Sequence, residues 1–239
     1  MSQIEELLAE SCKKINIELT EKQIKQFMDY KDMLLEWNEK FNLTAITDER
    51  EIILKHFVDC LAISAGAELA GKKIIDVGTG AGFPGVPVKI AFPDTQMILL
   101  DSLNKRITFL EELKNKLGLE NVTCIHSRAE DGGADKNLRE GFDLCISRAV
   151  ANLAVLSEYC LPFVKVGGCF ISMKGPDVKD ELNESEKAIK VLGGEVKEVK
   201  LINIPETDIN HSLIIIKKIK PTPSKYPRKA GKAKKEPIM

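Results

Sequence analysis

The chain is predicted to be an α/β protein with a mostly parallel sheet, an antiparallel last strand and a helical N-terminal extension. Three observations carry this. The first 65 residues follow helical spacing and contain no glycine before Gly66. From Lys72 onward, short β-branched runs alternate with helical ones, the pattern of βα units on a parallel sheet. The last two β-runs are joined by NIPETDINH, too short to hold a crossover helix, so they form a hairpin.

The elements follow in order. Ile4, Leu7, Leu8, Cys12 and Ile15 recur at helical spacing and give an amphipathic first helix. Thr20 and Gln23 form a capping box that starts a second, with Ile24, Phe27, Leu34, Trp37 and Phe41 on one face. A third helical stretch follows Asp48. The runs KIIDV, QMILLD, NVTCIH, FDLCIS, GGCFISMK, EVKEVKLI and HSLIIIKK read as strands. The tail PTPSKYPRKAGKAKKEPIM is rich in proline, lacks apolar periodicity and is expected to be extended. The boundaries are therefore 1–65 for the helical extension, 66–220 for the α/β domain and 221–239 for the basic tail.

Composition narrows the function. A content of 44% hydrophobic and 30% charged residues is ordinary for a globular protein. The opening MSQIEELLAESCKKI supports neither a signal peptide nor a membrane span, so a cytoplasmic protein is expected. Cys12, Cys60, Cys124, Cys145, Cys160 and Cys169 lie far apart with no C-x-x-C, so no metal is expected; Cys124, Cys145 and Cys169 read as small buried hydrophobes. The net charge of −1 divides into +8 for residues 217–239 and −9 for the rest. A basic end on an acidic body suits a polyanion, and equally a solvated, disordered segment.

The stretch IIDVGTGAGFPG holds two overlapping glycine patterns. Gly80, Gly82 and Gly85 fit the dinucleotide fingerprint, with Asp101 at the end of the second strand placed for a ribose. Asp101 suits any nucleoside ligand. Asp76, just before Gly78, would repel a pyrophosphate and suit a cationic amino group, which favours S-adenosyl-L-methionine over NAD. The competing reading of Asp76 and Asp101 is helix capping.

The motifs DVGTGAGFPG, LLDSLNKR, HSRAE, ISRA and MKG, with FNLT and KHFVD upstream and KYPRKAG in the tail, closely resemble the RsmG (GidB) family. The resemblance covers nearly the whole chain. It implies a class I S-adenosylmethionine-dependent methyltransferase fold (Rossmann-like) and methylation of N7 of one guanine in the 530 loop of 16S rRNA. The expected partner is 16S rRNA, within the 30S subunit or its assembly intermediate, and the enzyme is expected to be a monomer. It places Gly78, in a loop with Gly80 and Gly82, and Phe83 against the cofactor, Ala129 and Glu130 along its adenine, and Arg148 at the mouth of the site. Arg128 and Lys174 then stand on the RNA side. Arg148 directly follows a strand, where it would meet either a cofactor carboxylate or an RNA phosphate.

His56 and Asp59, three apart on a helix, can pair with each other, as a structural pair first and as support for the site second. The chain departs from the family at His211, where relatives often carry arginine; an unperturbed imidazole is mostly neutral near pH 7. Guanine N7 already offers a lone pair, so no general base is required and catalysis is by positioning. The competing functions are an NAD-dependent oxidoreductase, a non-catalytic ribosome assembly factor and a small-molecule methyltransferase.

Overall fold

A computed structural model describes residues 1–148 and 151–238, so Ala149 of the ISRA motif and the terminal Met239 lie outside the described residues. Both N-terminal helices start on capping boxes. Helix α1 (Gln3–Lys14) is capped by Ser2 and Glu5, and α2 (Glu21–Phe41) by Thr20 and Gln23, each box satisfying amide groups that a helix start leaves without partners. Helix α2 ends at Asn42 in the left-handed conformation, φ 49°. Its apolar face buries Phe27, Tyr30 and Leu34, and Trp37 packs 5.4 Å from Phe109.

The third helical stretch is one continuous run with a change of pitch. It begins as α3 (Glu49–Glu51), widens into a π-helix over Ile52–Val58, returns as α4 (Asp59–Leu61) and tightens to a 3₁₀ turn at Ala62–Ala65. The π-helical segment buries six residues, leaving only Lys55 half-exposed. Such widened turns recur at functional sites, and this one carries His56.

Seven strands form one sheet: β1 (Lys73–Val77), β2 (Gln96–Asp101), β3 (Val122–His126), β4 (Phe142–Arg148), β5 (Val164–Lys174), β6 (Gly194–Asn203) and β7 (Asn210–Lys218). Their order is β3-β2-β1-β4-β5-β7-β6. The β1–β2, β2–β3, β1–β4 and β4–β5 pairs are parallel. Strand β7 enters between β5 and β6 and runs antiparallel to both, as the short connection before it required. The order reverses between β1 and β4, so the crevice beyond their carboxyl ends is where an open α/β sheet binds ligands.

Remaining helices are α5 (Gly85–Ala91), α6 (Asn104–Leu117), α7 (Ala129–Ala134), α8 (Leu153–Cys160), α9 (Lys179–Val191) and the short α10 (Lys232–Lys235). Both sheet faces are covered, which explains the near-continuous apolar strands. Ile74 faces a core shared with Leu8, Phe27 and Leu34, whereas Ile75 faces a second core with Leu156 and Phe163. The N-terminal helices thus share a hydrophobic core with the sheet. No described helix is long and apolar enough to cross a membrane.

The tail differs from the extended segment read in the sequence. Lys218 is fully buried and donates to the carbonyls of Leu161 (2.6 Å) and Val164 (3.1 Å). The Arg139 guanidinium binds the carbonyls of Thr222 (2.7 Å) and Tyr226 (2.8 Å). Arg228 makes a bidentate pair with Glu158, itself 1% exposed, with contacts from 2.6 Å. Tyr226 and Ile238 pack singly onto the second core. Isolated apolar anchors and backbone carbonyls leave no period to read, which is why the docking is invisible in the sequence.

The shared core gives a direct expectation. Leu34→Ala, at a fully buried site on α2, should cost about 2–5 kcal/mol, and calorimetry should show the whole protein unfolding in one transition at lower temperature. Two separated transitions would show that the helices and sheet do not share their stability.

Candidate nucleoside and methyl-transfer site

The glycine loop between β1 and α5 is closed by one carboxylate. Asp76 is fully buried; its Oδ2 accepts from Thr79 Oγ1 at 2.6 Å and from the Gly85 amide at 2.8 Å. Its Oδ1 is buried without a partner. Burial pushes the Asp76 carboxyl up to about 7, against the hydrogen bonds from Thr79 and Gly85 and the charge of Arg148, which favour ionisation. Asp76 therefore joins the two ends of the loop from beneath and is not an open acid at its mouth, as the sequence suggested.

Two glycines in this loop are required by space. At Gly85 a Cβ would lie 2.5 Å from Leu99 Cδ2 and 2.8 Å from Asp76 Oδ2. At Gly82, φ +101°, it would lie 2.7 Å from Val86 Cγ2 and 2.9 Å from the Tyr30 hydroxyl. Tyr30, fully buried on α2, donates to the Ala81 carbonyl at 2.5 Å, so the extension fixes the loop from above.

Beside the loop lies a cavity of about 220 Å³ whose lining includes Gly78, Asp101, Arg128, Ala129 and Glu130. Asp101 is buried and accepts from the Gly80 amide (2.9 Å, Oδ2) and the Leu103 amide (2.9 Å, Oδ1), with Arg106 at 3.2 and 3.4 Å. Glu130 accepts from the Gly231 amide of the tail at 2.8 Å. The structure adds Tyr159, Gly231 and Lys234 to the cavity wall. No local pattern in the sequence places Tyr159, Gly231 or Lys234 there.

A second cluster surrounds Arg148 at the end of β4. Its guanidinium donates to Asp59 Oδ2 (3.0 Å), the Lys55 carbonyl (3.2 Å) and His56 Nδ1 (3.2 Å), and lies 4.9 Å over the Phe83 ring. Phe83 also stacks on His56 at 4.5 Å and on Tyr30 at 5.5 Å. His56 is pushed down to about 4, chiefly by burial and then by Arg148, so it is neutral at pH 7. With Nδ1 accepting from Arg148, Nε2 carries the proton and donates to Thr44 Oγ1 at 2.8 Å. The expected His56–Asp59 pair gives way to a shared partner: both side chains face Arg148.

His211 Nδ1 lies 2.5 Å from Asp59 Oδ1. That hydrogen bond, opposed by partial burial, raises the imidazole pKa above its ordinary value. Lys174 sits apart from this cluster: its ammonium binds the Ala151 carbonyl (2.5 Å) and Glu181 (2.7 Å), and Glu181 also accepts from the Leu153 amide at 2.6 Å. Lys174 thus joins β5, α8 and α9. Arg128 is exposed at the cavity edge. The site residues read from the sequence consequently fall into a nucleoside cavity, an Arg148–Phe83 cluster beside the same loop, and Lys174 at a neighbouring strand end.

Comparison with known proteins agrees with this architecture. A SAM dependent methyltransferase from Aquifex aeolicus superposes with a TM-score of 0.53 at 19% identity, over 73% of this chain and 96% of that one. A SAM-dependent O-methyltransferase from Thermotoga maritima gives 0.51 at 18% identity, over 78% and 72%. These likenesses establish a methyltransferase-type α/β fold. A protein named ribosomal RNA small subunit methyltransferase G from Alkaliphilus oremlandii is 56% identical over 99% of both chains. One of the same name from Clostridium perfringens strain 13 is 55% identical over 98% of both. The family model described as rRNA small subunit methyltransferase G, GidB, matches residues 23–210, and the chain belongs to that family.

Proposed function

We propose that the protein transfers a methyl group from S-adenosyl-L-methionine to N7 of a guanine in the 530 loop of 16S rRNA. The observation that carries the cofactor reading is the cavity beside the glycine loop, with Gly78 and Asp101 in its wall; Asp76 shapes that loop from beneath through Thr79 and Gly85. Asp101, one side of the cavity, fits ribose hydroxyls; Arg106, the most distant of its donors, yields to them. A dinucleotide would instead set a pyrophosphate over Asp76, where like charges repel.

When bound, the cofactor supplies an electrophilic methyl group on a sulfonium. The chain's part is placement. Gly78, Ala129 and Glu130 enclose the base end, with Arg128 at the rim, and Gly80 and Gly82 let the backbone approach. Phe83, held between Tyr30, His56 and Arg148, presents a fixed aromatic edge beside the loop. Guanine N7 needs no proton removed. His56, with both ring nitrogens engaged and its pKa depressed, takes none. Arg148 and His211 share the carboxylate of Asp59, so two basic side chains stand beside the loop where an RNA phosphate would approach. Lys174, expected on the RNA side, is instead paired with Glu181 and holds the α8–α9 junction beside the site.

Two measurements test this. Labelled methyl transfer to small subunits from a strain lacking the gene, followed by mapping, should place one N7-methylguanine in the 530 loop; label on another base or atom contradicts the substrate reading. Asp101→Ala should weaken S-adenosylmethionine binding by about 1.5–3 kcal/mol, the worth of charge-assisted hydrogen bonds; unchanged affinity in titration calorimetry places the ribose elsewhere.

A further inference from the structure

The basic tail crosses the body as a strap that ends in the nucleoside cavity. Pro227 packs on α7, where a Cβ on Gly133 would lie 3.2 Å from its Cγ. Arg228 clamps the buried Glu158 of α8, next to the cavity residue Tyr159. The Gly231 amide then holds the Glu130 carboxylate, Ala233 is fully buried, and Lys234 joins Gly231 in lining the cavity opposite the glycine loop. The charge that suggested a free polyanion arm is thus partly committed: Arg228 is paired with Glu158, and Lys232 lies 3.7 Å from Glu236.

We propose that residues 226–235 form the outer wall of the cofactor site, with Lys234 a binding residue for the adenosine moiety and Arg228 the positioning residue that keeps the wall in place. This rests on the cofactor reading above. Adenosine is uncharged and presents ring nitrogens and ribose oxygens as acceptors, which suit an ammonium at the rim, while Asp101 accepts from the ribose hydroxyls. Because the strap closes the cavity, strap docking and nucleoside binding are thermodynamically linked: detaching the strap weakens the nucleoside, and bound nucleoside holds the strap down to the same degree.

The test uses the full chain without RNA. By titration calorimetry, Lys234→Ala should raise the Kd for S-adenosylmethionine and S-adenosylhomocysteine alike by about fivefold, the worth of one hydrogen bond, since the methyl group lies elsewhere. Arg228→Ala should raise both by about tenfold or more, with Arg228→Lys partly restoring affinity. In the unaltered protein, S-adenosylhomocysteine should slow tryptic cleavage within residues 228–235, an effect that a merely structural strap would not show. Unchanged Kd in both variants together with ligand-independent cleavage overturns the strap's role, and a weaker, less salt-dependent rRNA interaction in those variants would then identify the tail as an RNA arm. Failure of the unaltered protein to bind either ligand overturns the cofactor reading itself, a distinct outcome.

Discussion

One buried carboxylate organises the site. Asp76 Oδ2 ties Thr79 to Gly85 across the glycine loop, and at Gly82 and Gly85 there is no room for a side chain. Its second oxygen has no donor, which leaves about 1–3 kcal/mol of desolvation uncompensated. One hydroxyl and one amide of the loop thus satisfy a single oxygen of the carboxylate, and burial of the other raises the carboxyl pKa. The loop's approach to the β1–β4 crevice, the start of α5 and the position of Phe83 all follow from this clamp.

The N-terminal helices complete what the sheet begins. Tyr30 fixes the loop through the Ala81 carbonyl, and the π-helical turn delivers His56 and, just beyond it, Asp59 to the β4 end. An ion pair as buried as Arg148–Asp59 contributes little net stability, because desolvation offsets most of its attraction. What it provides is orientation: the guanidinium is held over Phe83 by acceptors from a distant element. His211 on β7 shares Asp59, which links the antiparallel strand to the same cluster and gives it a charge that responds to pH.

Much of the fold is legible in the sequence, for reasons particular residues show. KIIDV and QMILLD are strands buried on both faces, so their β-branched runs are unbroken; Thr20 and Gln23 announce α2 by chemistry alone; the brevity of NIPETDINH sets the direction of β7. In the site, Asp101 is readable because strand ends are readable, whereas Ala129 and Glu130 come from the family resemblance. The rest depends on contacts that local patterns do not encode. The π-helix looks like any buried helix, because its apolar residues surround it. His56 and Asp59 suggest each other at their spacing, yet their partner Arg148 lies far along the chain. Asp76 gives no sign of its enclosure, since residue type does not report burial. Tyr226 and Arg228 dock the tail one at a time, without period.

The most direct test of this account is the titration of Asp76 itself, followed by its carboxyl carbon resonance with and without S-adenosylhomocysteine. Burial dominates its environment, so the folded carboxyl holds its proton to about 7, while the unfolded chain releases it near the ordinary value of about 3.9. Asp76 therefore lowers stability progressively as pH rises between those values, the reverse of an exposed, ion-paired carboxylate. The midpoint should lie near 7 in the free protein and stay well above the ordinary value with the ligand bound, because the carboxyl is enclosed beneath the loop. A midpoint close to 4, with or without ligand, would contradict this.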